Sequence, residues 1–269
     1  MTHKEPYLQF LWRDLVTRYM IKHNPIFGKN RRMAVWANDW VGANIYINGV
    51  YEKPELDMLM RLVDSRLTVL DIGANVGNHS IYFSDKFLRV WAFEPNPETY
   101  RLLTFNVTYP VYPYNYAIGD YNGETNLWMH DEPGMCSGTR NTGKGIRVEM
   151  RKLDSFKFDT VSLIKIDVEG MEYEVLKGAE RTIRRYSPVI AFEQSAEDIK
   201  NRRCLDLLKD WGYKFYWIET TDRRKMNPVV RVVRTLYELF AGRKTEYTLR
   251  EGEPPVMFHT FVIAKRIKQ

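Results

Sequence analysis

From residue 49 onward, apolar residues alternate between two spacings. Short, nearly continuous apolar runs suit buried strands: TVLDI (68–72), RVWAFE (about 89–94), the stretch near Tyr112–Ile118, VSLIKIDV (161–168), PVIAFEQ (188–194), YKFYWIE (213–219) and HTFVIAKR (259–266). Between them, apolar residues recur three and four positions apart, the spacing of a helix with one buried face. Leu56, Met58, Leu59, Leu62 and Val63 form such a face, with Pro54 suited to the first turn. Further helices are predicted from near Asn75, over about 97–107, over about 171–184 and over about 196–211. Strand and helix in turn imply an α/β fold: a largely parallel seven-stranded sheet with helices on both faces. VSLIKIDV is apolar nearly throughout and belongs near the centre.

Two more β segments, about 124–129 and 146–151, flank HDEPGMCSGTRNTGKG, a polar, glycine-rich stretch that reads as a mobile loop. Residues 1–48 read as a helical extension and 49–269 as the main domain, with a long insertion over about 220–255. Within that insertion, Val229, Val233, Leu236 and Phe240 share a helical face, with basic residues around them. Such a helix, about 226–244, would pack on its own protein, or make peripheral contact with a membrane or an apolar acceptor.

Composition narrows the class. At 269 residues and 44% hydrophobic, the chain can bury a sizeable core. No apolar run approaches the roughly 20 residues of a membrane span. The first twenty residues mix charges among apolar ones and lack a signal-peptide core, so a cytoplasmic enzyme is the expectation. Cys136 and Cys204 match no metal-ligand spacing and are too few for a disulfide framework. A net charge of +6 would favour anionic partners or serve solubility. Basic clusters stand at Lys29–Arg32, Arg181–Arg185, Arg223–Lys225 and Arg243–Lys244.

The strongest local signal is TVLDIGANVGNHS, residues 68–80. An apolar strand ends in Asp71, and a glycine turn with Gly73, Asn75 and Gly77 opens a helix. Gly73 permits the sharp turn, and Gly77 lets the helix pack close. A dinucleotide site would prefer G-x-G-x-x-G, which this turn does not supply. S-adenosylmethionine (AdoMet) carries an ammonium in place of a pyrophosphate, and Asp71 could attract it directly or through water.

Several motifs in order resemble the FkbM family of AdoMet-dependent methyltransferases: GVYEKPE, VLDIGANVGNHSIYF, AFEPNPETYRLLTFNV, YAIGDYNGETNL, LDSF and IKIDVEGMEYEVLKGAE. The resemblance runs from about Gly49 to Tyr213. It implies a class I methyltransferase fold with an antiparallel last strand, AdoMet as cofactor, and O-methylation of a sugar or natural-product hydroxyl. The first 35 residues and the insertion lie outside it.

Each site candidate has a competing structural role. Glu94 ends the second strand, where a carboxylate can accept both ribose hydroxyls or complement a helix start. Asn96 would position the adenosine or cap the next helix. Ile118 and Asp120 would approach the adenine, although Asp120 also opens a turn. The resemblance puts Tyr51 and Glu52 near the methionine end. Asp167 and Glu169 sit at the carboxyl end of the fourth strand, where open α/β sheets bind ligands. Asp167 would hold the methionine end or the acceptor, and Glu169 would take the acceptor's proton. Lys165 would point away or offset their charge. His130 is a candidate base in the mobile loop; His79 and His259 are weaker candidates. Asp167 and Glu193 could instead hold a divalent metal, but spacing supplies no third ligand, so no metal is favoured. The rival readings are methylation of RNA or another anionic polymer, for which nucleic acid is the less expected partner, and a non-catalytic AdoMet-binding protein.

Overall fold

The computed structural model describes residues 33–35, 41–42, 44–45, 49–129, 136–137, 145–220 and 246–266. The helices expected in 1–32, His130 with most of its loop, and the amphipathic stretch 226–244 lie outside the described residues.

The main sheet is built from β1 (Thr68–Ile72), β2 (Arg89–Phe93), β3 (Val111–Tyr114), β8 (Leu163–Ile166), β9 (Val189–Gln194), β10 (Tyr213–Thr220), β11 (Tyr247–Glu251) and β12 (His259–Arg266). Their order is β11-β10-β12-β9-β8-β1-β2-β3. β1 pairs in parallel with both β2 and β8. β12 lies antiparallel between β9 and β10, as the resemblance implied. The sheet has eight strands rather than the expected seven. The extra one, β11, comes from the stretch read as insertion and pairs antiparallel with β10, whose outer edge would otherwise be unpaired.

The central strands β1 and β8 are buried at every residue, as their apolar runs predict. Alternate residues face opposite layers. Leu70, Ile72, Phe93, Ile164 and Ile166 pack with α4 (Glu172–Gly178), α5 (Glu180–Tyr186) and α7 (Arg203–Asp210). Val69, Ala92, Leu163 and Ala191 pack with α1 (Lys53–Met60), α2 (Asn78–Ser84) and α3 (Pro97–Asn106). Met33, Val35 and Ile45 join the second layer, so this part of the expected N-terminal extension packs against the main domain.

Three elements differ from the sequence expectation. The single helix predicted over 171–184 is two, α4 and α5, joined at Ala179. The helix predicted over 196–211 is likewise divided, into α6 (Ala196–Asn201) and α7, at Arg202 with φ 60°. The third strand stops at Tyr114, and Ala117–Ile118 (β4) leaves for a second sheet with β5 (Gly123–Met129), β6 (Cys136–Ser137) and β7 (Gly145–Arg151). Asn115 ties that departure down by donating to the carbonyls of Glu94 and Pro95 at 2.8 and 3.0 Å. The carboxyl ends of β1, β2, β8 and β9 therefore open along one rim, with strand order reversing between β1 and β8, which is where such sheets bind ligands.

Candidate active site

The β1–α2 turn is shaped by positive φ angles at Gly73 (74°), Asn75 (49°) and Gly77 (96°). A Cβ on Gly73 would stand 1.8 Å from the Asp167 carbonyl oxygen, so only glycine lets β1 end this close to β8. A Cβ on Gly77 would stand 2.9 Å from Leu103 Cδ1, which confirms the close helix packing read from the motif.

Glu94 folds back over this turn. One carboxylate oxygen accepts from Asn75 N and the other from Asn96 N, each at 2.9 Å. Each oxygen keeps acceptor capacity for one more donor. Burial pushes the carboxyl up to about 7, against the pull of these two backbone N–H groups. Asn96 caps α3 by accepting from Glu98 N at 3.0 Å, so the capping role is realised. Ile118 is buried in β4, and Asp120 follows it, half-buried at the corner where Gly178 of α4 meets Gly119.

Beneath the turn lies a buried ion cluster. Asp71 has no exposed surface; Ser80 Oγ donates to it at 2.6 Å and Lys165 Nζ lies 3.2 Å away. Lys165 also donates to the Gly73 carbonyl at 2.9 Å and stands 3.4 Å from Asp167. Burial would lower the Lys165 ammonium, but Asp71 and Asp167 outweigh it and hold the group above its ordinary range. Lys165 thus offsets the carboxylates rather than pointing away.

Asp167 and Glu193 meet above this cluster, at the ends of adjacent parallel strands. Each brings a carboxyl oxygen within 4.8 Å of the other. Burial and the neighbouring Asp167 push Glu193 well above the carboxylate range. Burial would raise Asp167 too, but the Lys165 ammonium, then its neighbours, keep it below its ordinary value.

Glu169 completes a group of three. Asp167, Glu169 and Glu193 each bring an oxygen within 4.8 Å of the others. Glu169 (φ 55°) and Gly170 (φ 101°) form a left-handed turn, which Glu172 braces by accepting from Val168 N and Gly170 N at 3.3 Å. Three carboxylates so close could hold a hard divalent cation. Glu169 is the third oxygen ligand that spacing did not supply, and Lys165, 3.4 Å from Asp167, offsets part of the charge.

The Tyr51–Glu52 turn closes the other side. Asn78 clamps the Tyr51 backbone at both ends, accepting from its N–H and donating to its carbonyl, each at 3.0 Å. Burial, then Glu52, raises the Tyr51 phenol, and Asp167 and Glu193 act on it too. Glu52, at φ 58°, lies 3.2 Å from His79 Nε2, so His79 serves this turn. His259 is buried with Nε2 2.9 Å from the Pro255 carbonyl. The structure thus gathers Tyr51, Glu52, Asp167 and Glu193 at one place, and Gly73, Asn75, Glu94 and Asn96 at another beside it. The bond from Lys165 to Gly73 and the Asn78 clamp are what sequence reasoning did not place.

The methyltransferase FkbM domain model matches residues 71–215. A curated relative, the hexuronic acid methyltransferase AglP of Haloferax volcanii, is 27% identical over 159 residues. The alignment covers 56% of this chain and 65% of that relative, so the chain spans just under two thirds of its length. Among solved structures, the methyltransferase FkbM of Methylobacillus flagellatus KT aligns with TM-score 0.41 and 19% identity, over 77% of this chain and 56% of that one. The tRNA (m1A58) methyltransferase TrmI of Aquifex aeolicus aligns with TM-score 0.42 and 13% identity, over 82% of this chain and 70% of that one.

Proposed function

The chain belongs to the FkbM methyltransferase family, and from that premise we propose that it transfers a methyl group from AdoMet to a hydroxyl of a sugar or glycoconjugate. The observation that carries the reading is Glu94, buried at a strand end with one backbone donor on each oxygen and capacity left for two hydroxyls. A ribose offers two adjacent hydroxyls, and the glycine turn beside Glu94 admits a close ligand. AdoMet supplies an electrophilic sulfonium methyl when bound.

Glu94 would hold the ribose, and Ile118–Asp120 would flank the adenine. Asp167, one third exposed, would meet the methionine ammonium. Asp71 would act through Lys165, fixing Gly73 and Asp167 in place. Tyr51 and Glu52 would close over the methionine end.

The acceptor hydroxyl would approach in line with the methyl group. Glu169 would take the proton that the acceptor hydroxyl gives up on methylation. Positioning supplies much of the acceleration, and the proton transfer adds about 10²–10⁴-fold. The hexuronic acid named for the relative makes uronate-bearing glycans the first acceptors to try. No metal is assigned a step.

Calorimetry with S-adenosylhomocysteine tests the cofactor site. Wild type should bind, and Glu94→Ala should lose at least tenfold in affinity, since a hydrogen bond to a charged group is worth about 1.5–3 kcal/mol. A folded wild type that does not bind would sink the reading. Methyl incorporation into uronate and neutral glycans then tests the acceptor class.

A further inference from the structure

The opposite end of the sheet holds a cavity of about 590 Å³, at the amino ends of β1, β8 and β9 and beside the last residues of β12. It is remote from the carboxyl-end rim. Ser162 lines it just before β8, and Asp167 follows β8 at the other end, roughly 17 Å away at about 3.3 Å per residue. The cavity opens to solvent, and its volume suits a small-molecule site.

Two donor chains end in this lining. Leu67 N donates to Ser162 Oγ at 3.3 Å, and Ser162 Oγ donates to Ser65 Oγ at 3.3 Å. From the β12 side, Arg266 Nη1 donates to Ser187 Oγ at 3.2 Å. Each chain leaves one hydroxyl hydrogen, on Ser65 and on Ser187, with no acceptor among the described residues. The donor behind each hydroxyl polarises it. Charge points the same way. Asp64 is the acid of the lining, and Lys265 Nζ already engages both its carboxylate oxygens at 3.1 Å. Arg266 has no carboxylate partner among the described residues. Its cross-strand neighbour Tyr213 is buried, with a phenol oxygen that has no hydrogen-bond partner. A guanidinium and two hydroxyls thus line one cavity short of acceptors, with an unpaired phenol next to the guanidinium.

We propose that this cavity binds a phosphate monoester of a small hydroxyl-bearing metabolite. The guanidinium fork of Arg266 would take the phosphate oxygens, a pairing that is both strong and directional. Ser187 and Ser65 would donate from the two sides of the cavity. A phosphate has three terminal oxygens for these donors, and a carboxylate has two. Asp64 keeps acceptor capacity for a hydroxyl on the rest of the molecule. An inorganic phosphate would fill only part of the space. The site does not rest on the proposed methyl transfer, because the cavity shares no residue with the carboxyl-end rim.

The test is calorimetry of the full chain with glucose 1-phosphate, inorganic phosphate and glucuronate. Glucose 1-phosphate should bind tightest, and more weakly as salt rises. Arg266→Gln should lower its affinity about tenfold or more, as loss of a charged hydrogen-bond donor implies, and Ser65→Ala should lower it less. Both residues are exposed, so both variants should melt as wild type does. Glu94→Ala should bind glucose 1-phosphate normally, and S-adenosylhomocysteine should not displace it. Absence of binding by folded wild type, equal binding by Arg266→Gln and Ser65→Ala, or displacement by S-adenosylhomocysteine would overturn the proposal. Glucuronate binding as tightly as glucose 1-phosphate would overturn the choice of a phosphate, and inorganic phosphate binding as tightly would overturn that of a metabolite. A wild type that binds glucose 1-phosphate but not S-adenosylhomocysteine would count against the proposed enzyme and leave this site standing.

Discussion

Lys165 Nζ lies 3.2 Å from Asp71 Oδ1, with 1% and 0% of the two side chains exposed. The pair links the centre of the fold to the site. Its cation also holds the Gly73 carbonyl and flanks Asp167, so one ammonium fixes the glycine turn and the strand-end acid together. A buried ion pair is weak evidence of net stabilisation, because removing two charges from water costs as much as their attraction returns. Its effect here is to set position.

Breaking the pair from one side should therefore be severe. Lys165→Met leaves Asp71 buried beside Ser80 alone and should cost about 3–5 kcal/mol in urea unfolding. Asp71→Asn added to Lys165→Met should restore part of that loss, because the uncompensated charge is gone. Strict additivity of the two changes would show that they do not act as a pair.

Gly178 should tolerate nothing larger. A Cβ there would stand 1.8 Å from the Gly119 carbonyl oxygen, and backbone cannot swing aside. Gly178→Ala should cost about 3 kcal/mol, the upper end of overpacking. Gly145→Ala is the control: its Cβ would meet the Trp128 ring at 2.9 Å, and a side chain can shift. Thermal melts of the two should differ by several degrees. Gly178→Ala should also weaken S-adenosylhomocysteine binding, since Gly119 neighbours Ile118 and Asp120.

What was legible in the sequence was what is local. Gly73 and Gly77 announce their backbone angles within one turn, and Glu94 follows from its place at the end of an apolar run. The Lys165 contacts were not legible, because Gly73 is 92 residues away. Nor was the Asn78 clamp on Tyr51, 27 residues distant. The break between α4 and α5 lies beside a helix–corner contact that no helical periodicity reports. β11 was hidden because its residues are mostly exposed and polar, and only pairing with β10 makes them a strand.

Glu172 gives the apo protein a pH signature. Burial raises its carboxyl from 4.5 to about 7. Between those values the folded state holds more protons than the unfolded state, so stability falls as pH rises through the window. The full loss, complete above pH 7, is at most about 3 kcal/mol. Glu172→Gln keeps an oxygen for Val168 N and Gly170 N but removes the titration. Urea unfolding across this range should show the variant gaining on wild type as pH rises. Parallel curves would mean that the unfolded chain protonates Glu172 as readily as the fold does.

Substitution of Glu169 tests the proposed proton acceptor. A non-glycine residue at φ 55° costs about 1 kcal/mol or more, and Asn bears that conformation better than Glu. Glu169→Asn should therefore leave stability unchanged or slightly raised. If Glu169 takes the acceptor's proton, kcat should fall about 10²–10⁴-fold while S-adenosylhomocysteine affinity holds. Glu169→Gln should lose the same activity without the gain in stability, because it keeps the strain. Lost activity with retained or improved stability identifies a residue held in a strained turn for its chemistry. If Glu169→Asn stays active, while Asp167→Asn loses activity but keeps S-adenosylhomocysteine affinity, the proton goes to the Asp167–Glu193 pair. Glu193→Gln should then shift the pH–rate profile, because it removes the raised carboxyl beside Asp167.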